Sequence, residues 1–138
     1  MLRFDEIQPG DALPPEVRGP ITRDEIAGYS HAAADPNPMH VDEEFAKMSG
    51  YPGIFAQGML SMGYLGRYAT NLAGHGNVKL LQSRFAKITW PGETITCRAR
   101  VTGKRCSEAG ERLVDVELTT ENEAGEVKIV GRAVLRAG

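Results

Sequence analysis

At residue 77 the sequence changes its period, and no other feature constrains the fold as much. Residues 54–72 are apolar on nearly every helical face, whereas the residues beyond 77 alternate with the two-residue period of strands. Four stretches, 78–90, 94–105, 112–122 and 127–137, are divided by the polar turns "PGE", "CSEAGE" and "EAGE". In the second stretch Ile95, Cys97, Ala99 and Val101 fall on one face, with Thr94, Thr96, Arg98 and Arg100 on the other. Consecutive strands joined by short polar turns predict an antiparallel meander. A helix that is apolar on most faces needs a cover, and a sheet with one apolar face needs a filling. The expected architecture is therefore α+β, a curved antiparallel sheet around one long buried helix.

That helix carries Gly58, Gly63 and Gly66, each about 1 kcal/mol worse than alanine in a helix interior. Close packing of the helix backbone is the expected return for Gly63 and Gly66. Gly58 differs because it falls in the first turn. Amides there have no partner within the helix, and the positive end of the helix dipole favours negative charge.

In the N-terminal half, Thr22 and Glu25 of "TRDEI" form a capping box that opens a helix over 23–33, with Ile26, Tyr29 and Ala33 on one face. It must end by Asp35, because Pro36 disfavours the helical conformation at that residue. Asp42 caps a second, short helix over 43–49, closed by Gly50. Between the two lies "ADPNPMH", in which Pro36 and Pro38 stiffen the chain and hold Asp35 and His40 at a set span. An ionised carboxylate and a neutral imidazole can grip one water, remove a proton from it and return one elsewhere. Such a pair suits addition of water to a polarised double bond, or its reversal, if donors stabilise the enolate oxygen. The Gly58 amide is the candidate donor. Ser61, one turn on, is placed to bond either toward the pair or back to its own helix.

A metal site of His31, Asp35 and His40 is disfavoured, since His31 sits on a helix that breaks before His40. His75 reads as an exposed loop residue. Sixteen basic and eighteen acidic side chains leave a net charge of −2, with no basic stripe for nucleic acid or an anionic membrane. No apolar run approaches the roughly 20 residues of a membrane span, and the charged opening "MLRFDEIQPGD" is unlike a signal peptide, so a cytoplasmic protein is expected. The 138 residues are read as one domain, 1–138. Cys97 and Cys106 lack zinc or redox spacing and are expected as free thiols. Arg98, Arg100, Lys104 and Arg105 either form a solvated strand face or meet phosphates.

"ADPNPMH" followed by "AQGMLSMG" resembles the MaoC-like, (R)-specific enoyl-CoA hydratase family, whose signature runs G-D-x-N-P-x-H and, further on, H-G-M. "FDEIQPGDALP" resembles the family's opening, "RFAKITWPGETI" its F-x-x-P-V-x-P-G-D motif, and "GEVKIVGRAVL" its last strand. The resemblance implies a hotdog fold, an antiparallel sheet wrapped around a central helix from about Gln57 to Leu72. It carries the family's catalytic pair onto Asp35 and His40, its oxyanion amide onto Gly58, and its loop-shaping positions onto Asn37 and Pro38. The implied reaction is hydration of a trans-2-enoyl thioester of coenzyme A or acyl carrier protein to the (R)-3-hydroxyacyl thioester, or the reverse dehydration. No cofactor is implied. The implied assembly is a homodimer, with a hetero-oligomer containing another hotdog chain as the alternative; a hotdog thioesterase is the alternative reaction. Four positions depart from the pattern: Ala34 stands for glycine, Gln57 for the common histidine, Ile88 for proline and Glu93 for aspartate.

Overall fold

The computed structural model describes residues 1–138. In chain order they form β1 (Ala12–Arg18), α1 (Arg23–Ala32), α2 (Glu43–Met48), α3 (Gly58–Ala73), β2 (Val78–Phe85), β3 (Ile95–Cys106), β4 (Arg112–Glu121) and β5 (Val127–Arg136), with 3₁₀ turns at Phe4–Glu6 and Pro38–His40. The five strands make one fully antiparallel sheet in the order β1-β3-β4-β5-β2. α3 lies across β2, β3, β4 and β5, the hotdog arrangement expected. No helix is long and apolar enough to cross a membrane.

The core sits between α3 and the sheet. Leu65, Tyr68, Ala69 and Ala73 of the helix meet Ile95, Cys97, Val101, Val116, Leu118 and Ile129 of the strands. Burying a large aliphatic side chain is worth about 1.5–3 kcal/mol, so this interface carries most of the driving force for folding. The expected apolar face of β3 is the one turned inward: Ile95, Cys97, Ala99 and Val101 are all buried.

Three expectations need correcting. First, only β3, β4 and β5 form a meander; β2 pairs with β5, on the far side of the sheet from β3. The long connection over 86–94 makes this possible, because β2 ends at Phe85 rather than continuing to Trp90. Second, β1 has no counterpart among the sequence-predicted strands. Its "ALPPEVR" holds two consecutive prolines, which deny a strand its amide donors, and β1 tolerates them as an edge strand with a register irregularity between Leu13 and Glu16. Third, α3 is not buried on all faces. Met59, Gly63, Arg67 and Asn71, spaced every four residues, form an exposed stripe. A side chain at Gly63 would meet nothing within 4 Å, so close packing does not explain that glycine.

Candidate active site

Only half of the capping box at the start of α1 forms: the Glu25 amide donates to Thr22 Oγ1 at 3.0 Å, while the Glu25 carboxylate takes the Thr22 hydroxyl at 3.4 Å rather than its backbone amide. At the other end Ala33 caps the helix and Ala34 takes φ = +51°, a left-handed conformation that favours glycine. This is the position where the resembled family has glycine. The reversal allows the Asp35 amide to donate to the Ser30 carbonyl at 2.9 Å, which turns Asp35 off the helix end.

Each polar residue of the loop then supports the next. Asp35 Oδ1 accepts the Asn37 amide at 3.2 Å, and Asn37 Oδ1 accepts the Met39 amide at 3.0 Å. Pro38 occupies the start of the 3₁₀ turn, where a missing N–H removes nothing. The turn delivers His40 into the protein, 7% exposed, while Asp35 stays half-buried.

His40 Nδ1 lies 2.7 Å from the carbonyl oxygen of Phe55, and the two rings meet edge to face at 5.1 Å. A carbonyl only accepts, so Nδ1 carries the proton of the neutral imidazole and Nε2 is left as a bare acceptor. The strand-like segment that provides this carbonyl is held on both sides. The Ile54 amide donates to Glu43 Oε2 at 3.3 Å, and the Ala56 amide donates to the Thr89 carbonyl at 2.9 Å. Arg23 Nη1, 2.7 Å from the same Glu43 oxygen, holds that carboxyl below its usual range, with the Ile54 amide adding to the effect.

Gln57 caps α3 and Gly58 is its first residue; neither the Gly58 amide nor the Met59 amide has a hydrogen-bond partner within the protein. A Cβ on Gly58 would stand 2.5 Å from the Phe85 ring, so glycine here lets that ring lie against the start of α3. A cavity of about 240 Å³ opens beside this amide, lined by Phe55, Gln57, Gly58, Ser61 and the 85–89 segment among others. Asp35 and His40 are not among its lining residues; Phe55, which holds His40, is. Ser61 is buried at 4% exposure, and its hydroxyl makes neither of the two expected hydrogen bonds.

The 85–89 wall is braced by Lys128, whose Nζ, 1% exposed as a side chain, reaches the Ile88 carbonyl at 2.7 Å and pairs with Glu93 and Glu126. Glu93 also accepts the Trp90 amide at 2.6 Å, so the family's turn motif is held here by glutamate. The four basic residues of β3 all have partners in this chain. Arg98 pairs with Glu121 and Arg105 with Asp115, while Arg100 and Lys104 donate to the carbonyls of Gly10 and Phe4. Arg98, Arg100 and Arg105 are exposed and Lys104 is half-buried. His31 and His75 are exposed, and both cysteines are free.

Two contributors escape sequence reasoning, whereas Phe85, which reads as aromatic core or as the wall of an acyl tunnel, lines the cavity. The Phe55 carbonyl is backbone and leaves no trace in residue type. Gln57 was noted only as a departure, although its Nε2 donates to the Ile26 carbonyl at 2.9 Å and to Ser30 Oγ at 2.7 Å.

The family model described as "MaoC like domain" matches residues 6–124. The (R)-specific enoyl-CoA hydratase of Rhodospirillum rubrum is 30% identical over 134 residues, 96% of this chain and 89% of the relative. Two other curated relatives, from Dictyostelium discoideum and Mycobacterium tuberculosis, are longer, and the chain spans about a third of their length. Among solved structures, R-hydratase PhaJ1 from Pseudomonas aeruginosa superposes with a TM-score of 0.85 at 21% identity, covering 99% of this chain and 85% of that one. The ChsH1-ChsH2 complex from Mycobacterium tuberculosis gives a TM-score of 0.80 at 22% identity, covering 95% and 98%. At these identities the two structures establish the fold.

Proposed function

Because the chain belongs to the MaoC-like domain family, we propose that it hydrates trans-2-enoyl thioesters to (R)-3-hydroxyacyl thioesters, or catalyses the reverse dehydration. The observation that carries this reading is the His40 ring, pinned through Nδ1 to Phe55 with its Nε2 free, on the loop that also presents Asp35.

The proposed chemistry needs one water between the two side chains. Asp35 and His40 Nε2 accept its hydrogens, and its oxygen attacks C3 of the enoyl group. His40 takes the proton as the C3–O bond forms, and the C2=C3 electrons move onto the thioester oxygen as an enolate. The unpartnered Gly58 amide, at the positive end of α3, holds that oxygen. The imidazolium, stabilised by the Asp35 carboxylate, gives its proton to C2. Atoms and charge then balance without a metal or redox cofactor. Asn37 and Pro38 keep the span, and Ser61 borders the oxyanion position.

The test is steady-state hydration of crotonyl-CoA by the purified protein. Asp35→Asn and His40→Ala should each lower turnover by about 10² or more with folding intact, the usual weight of a positioned acid–base group. Full activity in both variants would remove the mechanism. Coenzyme A release without loss of the enoyl group would mean a thioesterase.

The proposal extends to a cytoplasmic homodimer acting on coenzyme A or carrier-protein thioesters. A second reading, a subunit of a hetero-oligomeric dehydratase, is supported by the likeness to the ChsH1-ChsH2 complex. An isolated chain that is inert but gains activity with another hotdog chain would favour it.

A further inference from the structure

Gln57 is poorly explained as packing. It is 3% exposed, and its Oε1 is buried without a hydrogen-bond partner. An orphaned buried acceptor is destabilising because its lost hydration is not replaced, and a methionine would fill a similar volume without that loss. The compensation lies at the other side of the carboxamide, where Nε2 donates to both Ile26 O and Ser30 Oγ across the gap between α3 and α1.

These two partners sit at a particular place. Ser30 is engaged twice, its hydroxyl by Gln57 and its carbonyl by the amide of Asp35 at 2.9 Å. On the other helix, Gln57 is the cap of α3, its carbonyl accepts the Leu60 amide at 3.1 Å, and Gly58 follows it directly. Two hydrogen bonds therefore link the backbone of Asp35 to the residue that carries the Gly58 amide. The covalent route between them runs instead through the whole loop, α2 and the 54–57 segment. The other bond joining these helices, from Tyr64 to Glu25, lies at the opposite end of α1.

We propose that Gln57 is a positioning residue: through Ser30 it sets the separation between the Asp35 carboxylate and the Gly58 amide. This rests on the enoyl-thioester reading given above. Water attack at C3 and charge at the thioester oxygen occur at two points of one rigid substrate, so the groups serving them must keep one span. A misplacement of about 1 Å in such a pair lowers rate about 10²-fold.

The experiment compares Gln57→Met, Ser30→Ala and the double variant with wild type and Asp35→Asn, by crotonyl-CoA hydration and by amide hydrogen exchange at Asp35. Each single variant should melt cooperatively yet lose about 10- to 100-fold in kcat, with KM changed less than about threefold. The double variant should be no slower than the worse single one, because both break the same tether. Exchange of the Asp35 amide should rise at least about tenfold in Gln57→Met while core strand amides stay protected. Wild-type kcat in Gln57→Met, additive losses in the double variant, or unchanged exchange at Asp35 would each overturn the inference. If Asp35→Asn is fully active, or wild type hydrates no crotonyl-CoA either alone or with another hotdog chain, the enoyl-thioester reading fails, and the exchange measurement still decides whether Gln57 holds Asp35.

Discussion

His40 Nδ1 donates its proton to the Phe55 carbonyl across 2.7 Å, so the neutral ring has one tautomer available to it. The expected outcome in a long-range proton–nitrogen correlation spectrum is a His40 imidazole protonated at Nδ1 and bare at Nε2. A ring found protonated at Nε2 would leave no acceptor facing the water and would contradict the proposed role.

Ala34 holds a left-handed backbone at φ = +51° to place Asp35. Replacing it with glycine relieves about 1–2 kcal/mol of strain. The freer unfolded chain takes back about 0.5–1 kcal/mol. Ala34→Gly should therefore raise the urea midpoint, by a net gain of up to about 1.5 kcal/mol, with an unchanged denaturant slope. The β-branched Ala34→Val should lower it.

Gly58→Ala would press a methyl group against the Phe85 ring, 2.5 Å from the Cβ position. Phe85 is 50% exposed and can swing away, so the variant should fold. The displaced ring and added methyl group obstruct the amide, and kcat/KM should fall about 10- to 100-fold, on the scale of losing one oxyanion donor. Adding Phe85→Ala should recover part of that loss if the ring is the obstacle. No recovery would place the effect at the amide itself.

Burial, reinforced by Glu16, pushes the Cys97 thiol up to about 12, and burial, with Cys97 beside it, pushes Tyr68 up to about 12. A thiol reagent on the folded protein should therefore modify Cys106, which is exposed, and reach Cys97 only on unfolding. Both raised groups keep their protons in the folded chain at a pH where the unfolded chain releases them, from 9.0 for the thiol and 10.0 for the phenol. Their contribution to stability is full below about 9 and is lost as pH rises toward 12. Urea midpoints measured across that window should fall steadily, and a flat profile would contradict the burial of the pair.

What could be read in advance followed local chemistry. The N-cap at Thr22, the stop before Pro36, and the cap at Asp42 each depend on residues within one turn of the chain, and all three form where expected. The inward face of β3 follows from period alone. Failures came where distant parts of the chain decide. The pairing of β2 with β5 depends on how the sheet closes around α3. β1 is a strand only because β3 offers it an edge that tolerates Pro14 and Pro15. For the candidate site, Asp35, His40 and Gly58 are proposed from residue type, because acids, imidazoles and helix-start glycines announce their chemistry. Phe55 could not, since its contribution is a carbonyl every residue possesses.

The two prolines of β1 also give the sheet unequal sides. Successive amides of a strand face opposite borders, so an outer neighbour would find fewer donors along Pro14 and Pro15, and a register fault between Leu13 and Glu16 as well. β2, the opposite border, carries no proline and has hydrogen-bonding groups facing away from β5. Of the two borders, β2 is therefore the better equipped for backbone pairing with another chain, and it ends at Phe85, which lines the cavity.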